Sequence, residues 1–198
     1  IEMAIEYGVK IGAHPSYFDL EGFGRRKFDL KLNEIESIIL YQVSALKGIT
    51  EYYGEKLHHV KPHGALYNTA SINDDIAETI ILTIKKIDPN LKLYGPSKMK
   101  WKEISEKHKI EYVSEVFSDR NYNDNLTLVD RSNDNSMITD INKSINHLTR
   151  MIEKGKVKTI NNKFIDIDAE TICIHGDQPN AHLFAKTIYN TFKSKIVK

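Results

Sequence analysis

Four apolar segments of this chain place ionisable residues at alternate positions, which limits the folds that can accept them. In Leu57-His-His-Val-Lys-Pro-His63 the two-residue strand period puts His59, Lys61 and His63 on one face and Val60 on the other. In Thr171-Ile-Cys-Ile-His175, Cys173 and His175 oppose Ile172 and Ile174, and Asp177 joins the polar face if the extended path continues. Val9, Ile11 and Ala13 alternate with Lys10, Gly12 and His14, and Glu115 shares its face with Val113 in Tyr112–Phe117. Buried parallel strands normally read as unbroken Val, Ile and Leu. An open sheet covered on both sides would bury Lys61, Glu115 and three histidines at several kcal/mol per uncompensated charge. The interior of a β/α barrel accepts such groups, because they pair there or line a polar pocket. His14, His63 and His175 also fall at strand C-termini, with Asp119 and Arg120 just past Phe117, which is the end of a barrel where active sites are built.

Between these strands run amphipathic helices. Ile35, Ile38, Ile39, Leu46, Ile49 and Tyr53 recur at three- and four-residue intervals, predicting a helix over 33–53 closed by Gly54. The same spacing predicts helices over 71–87, 137–152 and 179–196, and Pro96 suits the first position of another that runs to about Lys109. Leu91–Tyr94 is a further short strand, making five. Strands joined by helices of this length imply right-handed parallel crossovers, hence an α/β protein of one domain over 1–198. The stretch 118–136 is irregular and rich in Asn and Asp, with Leu126, Leu128 and Val129 as a small β excursion. A loop of this length in a compact domain is usually functional or disordered.

Lys and Arg number 28 against 27 Asp and Glu, a balance that argues against a nucleic-acid or anionic-membrane surface. A single Cys173 excludes a disulfide scaffold, and it reads as buried packing. No run approaches the roughly 18 apolar residues of a membrane span. The first residue carries no signal-peptide pattern, so a cytoplasmic protein is expected. Ile1, Ala4 and Ile5 before Gly8 have helical spacing without an initiator Met, and the chain is expected to start inside a helix whose earlier turns precede it.

Three imidazoles with Glu115, Asp119 or Asp177 nearby have the composition of a zinc-type site, but no tight ligand spacing supports one. The same residues suit general acid–base work, and they equally suit a hydrogen-bonded polar core. Lys61 and Glu115 read as an ion pair at the pocket floor, with support or chemistry both open. Gln42 interrupts an apolar helix stripe, which suggests packing or a hydrogen bond to a strand end. Asp19-Leu-Glu-Gly-Phe-Gly-Arg-Arg26 sets two glycines beside Arg25 and Arg26, which fit either a carboxylate or phosphate contact or a solvated surface. It is not a dinucleotide fingerprint, and no phosphate-binding P-loop occurs anywhere in the chain.

Taken together, Gly12-Ala-His-Pro-Ser-Tyr17 with Gly22-Phe-Gly-Arg-Arg26, Tyr41-Gln42, His59-Val-Lys-Pro-His-Gly-Ala-Leu-Tyr-Asn68, Glu115-Val-Phe-Ser-Asp-Arg120 and Ile172-Cys-Ile-His-Gly-Asp177 resemble the LamB/YcsF family over essentially the whole chain. The resemblance implies a seven-stranded β/α barrel related to polysaccharide deacetylases (the glycoside hydrolase/deacetylase-like type), whose first two strands and their motifs are not in this sequence. It also implies the A component of a bacterial ATP-hydrolysing 5-oxoprolinase, which opens the lactam of 5-oxo-L-proline to L-glutamate with two partner subunits. ATP would act directly or through those partners, and a divalent metal is compatible. On this reading His14, Lys61, His63, Glu115, Asp119, His175 and Asp177 are catalytic candidates, and His14, His63 and His175 are candidate metal ligands. Arg25, Arg26, Tyr67, Asn68 and Arg120 would meet substrate. Two alternatives stay open: a partner-independent metal-dependent deacetylase or amidohydrolase, and a non-catalytic small-molecule-binding barrel.

Overall fold

The computed structural model describes residues 1–196, which form two compact units, 1–113 and 114–196. The first opens with α1 (Glu2–Glu6) and β1 (Gly12–Ala13), followed by α2 (Leu32–Tyr52), β2 (His59–Val60), α3 (Gly64–Ser71), α4 (Asp74–Ile87), β3 (Lys92–Pro96) and α5 (Trp101–Lys107). Strands β1, β2 and β3 lie side by side and parallel, with Gly12 opposite His59 and Val60 opposite Leu93. Ile35, Ile38, Ile39 and Val43 on α2 and Ile76, Ile80, Ile81 and Ile84 on α4 form the core beneath Val60 and Leu93, all of them buried. Each isoleucine removed from water in this way contributes about 1.5–3 kcal/mol. The Trp101 indole N–H donates to the Ala70 carbonyl at 2.7 Å and ties the start of α5 to the end of α3.

The second unit continues with β4 (Tyr112–Phe117), whose last residues pair in parallel with the later strand at Thr171–Cys173: Glu115 faces Thr171 and Phe117 faces Cys173. Between them lie α6 (Ile141–Lys154) and an antiparallel hairpin of β5 (Lys156–Lys158) and β6 (Phe164–Asp166), so the later strand is β7, followed by α7 (Ala181–Phe192). Asp140 caps α6 by accepting from the Lys143 amide at 2.8 Å, and Gly155 ends the helix in the left-handed conformation. Every pairing among β1, β2 and β3, and that of β4 with β7, is parallel. The α/β class and the five strands read from the sequence are therefore present.

Several elements differ from the reading. Residues 64–71 form a helix of their own that periodicity did not mark, because Ala65, Leu66, Tyr67, Thr69 and Ala70 are all buried and leave no polar stripe. The helix expected from Ser71 starts at Asp74, after Asn73, whose side chain accepts from the Ile76 amide. Pro96 ends a strand instead of opening a helix; its carbonyl accepts from the Tyr112 hydroxyl at 2.7 Å, and Lys98 turns the chain at φ 58 before Trp101. The hairpin β5–β6 was not predicted. The excursion in 118–136 survives as an isolated bridge between Tyr122 and Leu128.

The cap at Asn73 has a measurable value. Asn73→Ala is expected to lower stability by about 1 kcal/mol in urea denaturation, while Asn73→Asp retains most of it.

Candidate active site

At the C-terminal ends of β1 and β2, His14 and His63 form one hydrogen-bonded chain. His14 Nδ1 meets the Lys61 carbonyl at 2.5 Å, His14 Nε2 meets His63 Nδ1 at 2.8 Å, and His63 Nε2 meets the Phe23 carbonyl at 2.7 Å. Carbonyl oxygens only accept, so both outer nitrogens carry hydrogen. Two neutral rings would then face lone pair to lone pair across the middle, and the central bond requires one further proton. The geometry thus describes an imidazole–imidazolium pair with a single positive charge. His63 is half-buried, with Phe23 edge-on at 5.2 Å.

The loop that supplies the Phe23 carbonyl is held from within. The buried Asp19 carboxylate accepts from the Gly22 amide at 3.0 Å, the Arg26 amide at 3.3 Å and the Arg26 Nε at 2.9 Å, with the Arg26 Nη2 in closer contact still. The Arg26 guanidinium, followed by these amides, pulls the Asp19 pKa to about 2. Arg26, expected to meet a substrate anion, is thus a staple of the loop. Arg25 lies with its guanidinium 5.0 Å from the Phe23 ring. The loop approaches α3 closely enough that Gly24 O accepts from the Ala65 amide at 2.9 Å, and a Cβ on Gly64 would come within 2.5 Å of that carbonyl. Gly64 also sits at φ +55, so glycine is required there on both counts. Gln42 accepts from the Ser16 amide and donates to its carbonyl, the bond to a strand end that its sequence position suggested.

One residue of the polar face was not singled out by sequence reasoning. His59 stacks on Tyr94 with centroids 4.1 Å apart and is pressed so closely against Gly12 that any side chain at position 12 would collide with its ring. Burial, with His58 and Lys61 nearby, draws its pKa down to about 4, so it is neutral near pH 7. The signal was the strand parity that places it beside Lys61.

In the second unit the Asp119 carboxylate, fully shielded from solvent, holds His175 Nδ1 at 2.8 and 3.0 Å. The Nδ1–H donates to the carboxylate, and Nε2 has no hydrogen-bond partner among the described residues. Phe117 stacks on the ring at 5.8 Å. A buried carboxylate that orients an imidazole whose far nitrogen stays open is the arrangement of a general base. Asp119 is set by its surroundings: Ser118 Oγ donates to the Cys173 carbonyl at 2.8 Å, Ser144 Oγ to the Ser118 carbonyl at 2.7 Å, and the Ile138 amide to the Asp119 carbonyl at 2.8 Å.

Arg120 is buried, and its guanidinium donates to the Val129 carbonyl at 2.5 Å and the Ser136 carbonyl at 3.3 Å. It knits together the loop that sequence reading left irregular, a structural duty in place of the expected substrate contact. Tyr122 belongs to the same knot, its buried hydroxyl accepting from the Phe117 amide at 2.9 Å. Tyr67 and Asn68 diverge on α3: Tyr67 is buried against Trp101, and Asn68 faces solvent. Lys61 is half-buried, Glu115 is buried on β4, Asp177 is exposed beyond β7, and Cys173 is buried as expected.

Among the described residues no group of three His, Cys, Asp or Glu side chains is placed to hold a metal ion. As placed, all four ring nitrogens of His14 and His63 are already engaged and His175 Nδ1 is committed to Asp119, so the three imidazoles do not fit a metal site.

These features define a parallel α/β protein with imidazole and carboxylate groups at the C-terminal ends of its strands. The family model described as LamB/YcsF matches residues 1–198, and the chain belongs to the LamB/YcsF family. Among curated proteins it is 41% identical over 194 residues to the A subunit of a Bacillus cereus 5-oxoprolinase, covering 98% of this chain and 77% of that protein. The A subunit of a Bacillus thuringiensis 5-oxoprolinase matches at 41% with the same coverage. The crystal structure of a lactam utilization protein from Thermus thermophilus superposes with a TM-score of 0.88 at 36% identity, over 98% of this chain and 77% of that one.

Asp19 gives the loop a pH dependence of definite sign. Its folded pKa of about 2 lies below the ordinary 3.8, so its contribution is complete above about pH 4 and is lost as the pH falls toward 2. Hydrogen exchange at the Gly22 and Arg26 amides, relative to the intrinsic rate at each pH, is expected to accelerate over that window. Asp19→Asn should exchange quickly at every pH. Gly64→Ala is expected to cost about 1–3 kcal/mol in urea denaturation.

Proposed function

We propose that this chain serves as the A subunit of an ATP-dependent 5-oxoprolinase, hydrolysing the lactam of 5-oxo-L-proline to L-glutamate together with partner subunits. The observation that carries the reading is membership of a family whose curated members, 41% identical over 98% of the chain, bear that name. The structural neighbour described as a lactam utilization protein points the same way. We further propose a β/α-barrel fold of the seven-stranded type.

An unstrained five-membered amide resists hydrolysis, so activation by ATP is chemically reasonable. Transfer of the γ-phosphoryl group to the amide oxygen would make the ring carbon electrophilic and leave ADP. Water then adds to that carbon, the ring C–N bond breaks as the nitrogen gains a proton, and a second water releases phosphate from the acyl phosphate. His175, oriented by Asp119 and with Nε2 open, is the group suited to take a proton from water. The His14–His63 pair holds one proton more than two neutral rings and is suited to general-acid work. Lys61 and Glu115 remain candidates for setting the local charge, and Arg25 for meeting the substrate carboxylate. Arg26 and Arg120 are assigned to the scaffold.

The test is ATP-dependent glutamate release from 5-oxoproline by the full-length protein mixed with its partner subunits. His63→Ala is expected to abolish turnover. Asp119→Asn should lower it by about 10²–10⁴-fold with thermal stability little changed. Full activity in either variant would reject the assigned role.

A further inference from the structure

The second unit contains a cavity of about 600 Å³ whose lining includes neither Asp119 nor His175. It lies between the 121–138 loop, α6 and the β5–β6 hairpin, and its size falls within the range of small-molecule sites. Lys143 and Arg150 from α6 and Lys158 from the hairpin bring three positive charges to it. The one carboxylate in the lining, Asp140, already accepts from the Lys143 amide at the helix cap. Among the described residues none of these three cations has a carboxylate partner, whereas Lys100, Lys107, Lys156 and Lys163 on the same molecule are all paired. The Arg150 guanidinium is instead held 5.3 Å from the centre of the Phe164 ring.

A ligand that complements this wall needs anionic oxygens for three cations. Two charges on one group suit three cations better than a single carboxylate does.

We propose that this cavity is a binding site for a small phosphate monoester, with Lys143, Arg150 and Lys158 on the phosphate. The site is independent of the lactam-opening reading, since none of its residues is assigned to that reaction.

The probe is glycerol 3-phosphate, titrated into the ¹⁵N-labelled full chain, with L-glutamate and inorganic sulfate as comparators. Saturable shifts confined to amides around Asn121, Ile138 and Lys158 are expected. Binding should weaken at least tenfold in Arg150→Gln/Lys158→Gln, whose exposed or half-exposed side chains can be changed without disturbing the core. Absence of saturable shifts at millimolar glycerol 3-phosphate, equal affinity in the double variant, or tighter binding of glutamate would each overturn the assignment. So would shifts at these amides that appear only when another protein is added.

Discussion

Two main-chain carbonyls, those of Lys61 and Phe23, fix the state of the imidazole pair at the ends of β1 and β2. Each takes a hydrogen from one ring, and the two remaining nitrogens must share a proton between them. Much of the surrounding construction serves to hold those carbonyls in place. The Lys61 amide donates to the Ala13 carbonyl at 2.9 Å in register with the parallel pairing of β1 and β2. Phe23 stands in a loop closed by Asp19 and Arg26 and seated on the bare backbone of Gly64.

Much of this was legible in the sequence, and the reasons for what was not are physical. Helices α2, α4 and α6 announce themselves because one side of each is buried and the other wet, so isoleucines and charges alternate at helical spacing. Helix α3 gives no such signal, since burial on nearly every side erases periodicity. The β5–β6 hairpin was readable in principle: Lys-Val-Lys and Phe-Ile-Asp alternate around Asn161-Asn162, and Asn162 adopts φ 62 in the turn. Three-residue strands are simply too short to stand out. Strand parity located His14, His63 and His175 correctly at strand ends, but parity says which way a side chain points and not what it meets.

The arginines show that limit most clearly. A guanidinium presents the same fork to a ligand carboxylate, to Asp19, or to the carbonyls of Val129 and Ser136, and composition does not distinguish these partners. Arg26 and Arg120 are taken up by their own loops, while Arg150, which drew no attention in the sequence, stands beside an aromatic ring without a carboxylate partner among the described residues. Charge that is already matched builds scaffold, and charge left over marks where a ligand can be sought.

Because the acceptors flanking the His14–His63 pair belong to the peptide backbone, they are beyond the direct reach of mutation. The side chain at position 23 can drift among large apolar residues, and that at 61 can change entirely, without altering the number of hydrogens the two rings hold, provided the backbone trace survives. Divergence in such a lineage would therefore reshape what the site recognises sooner than how it handles protons.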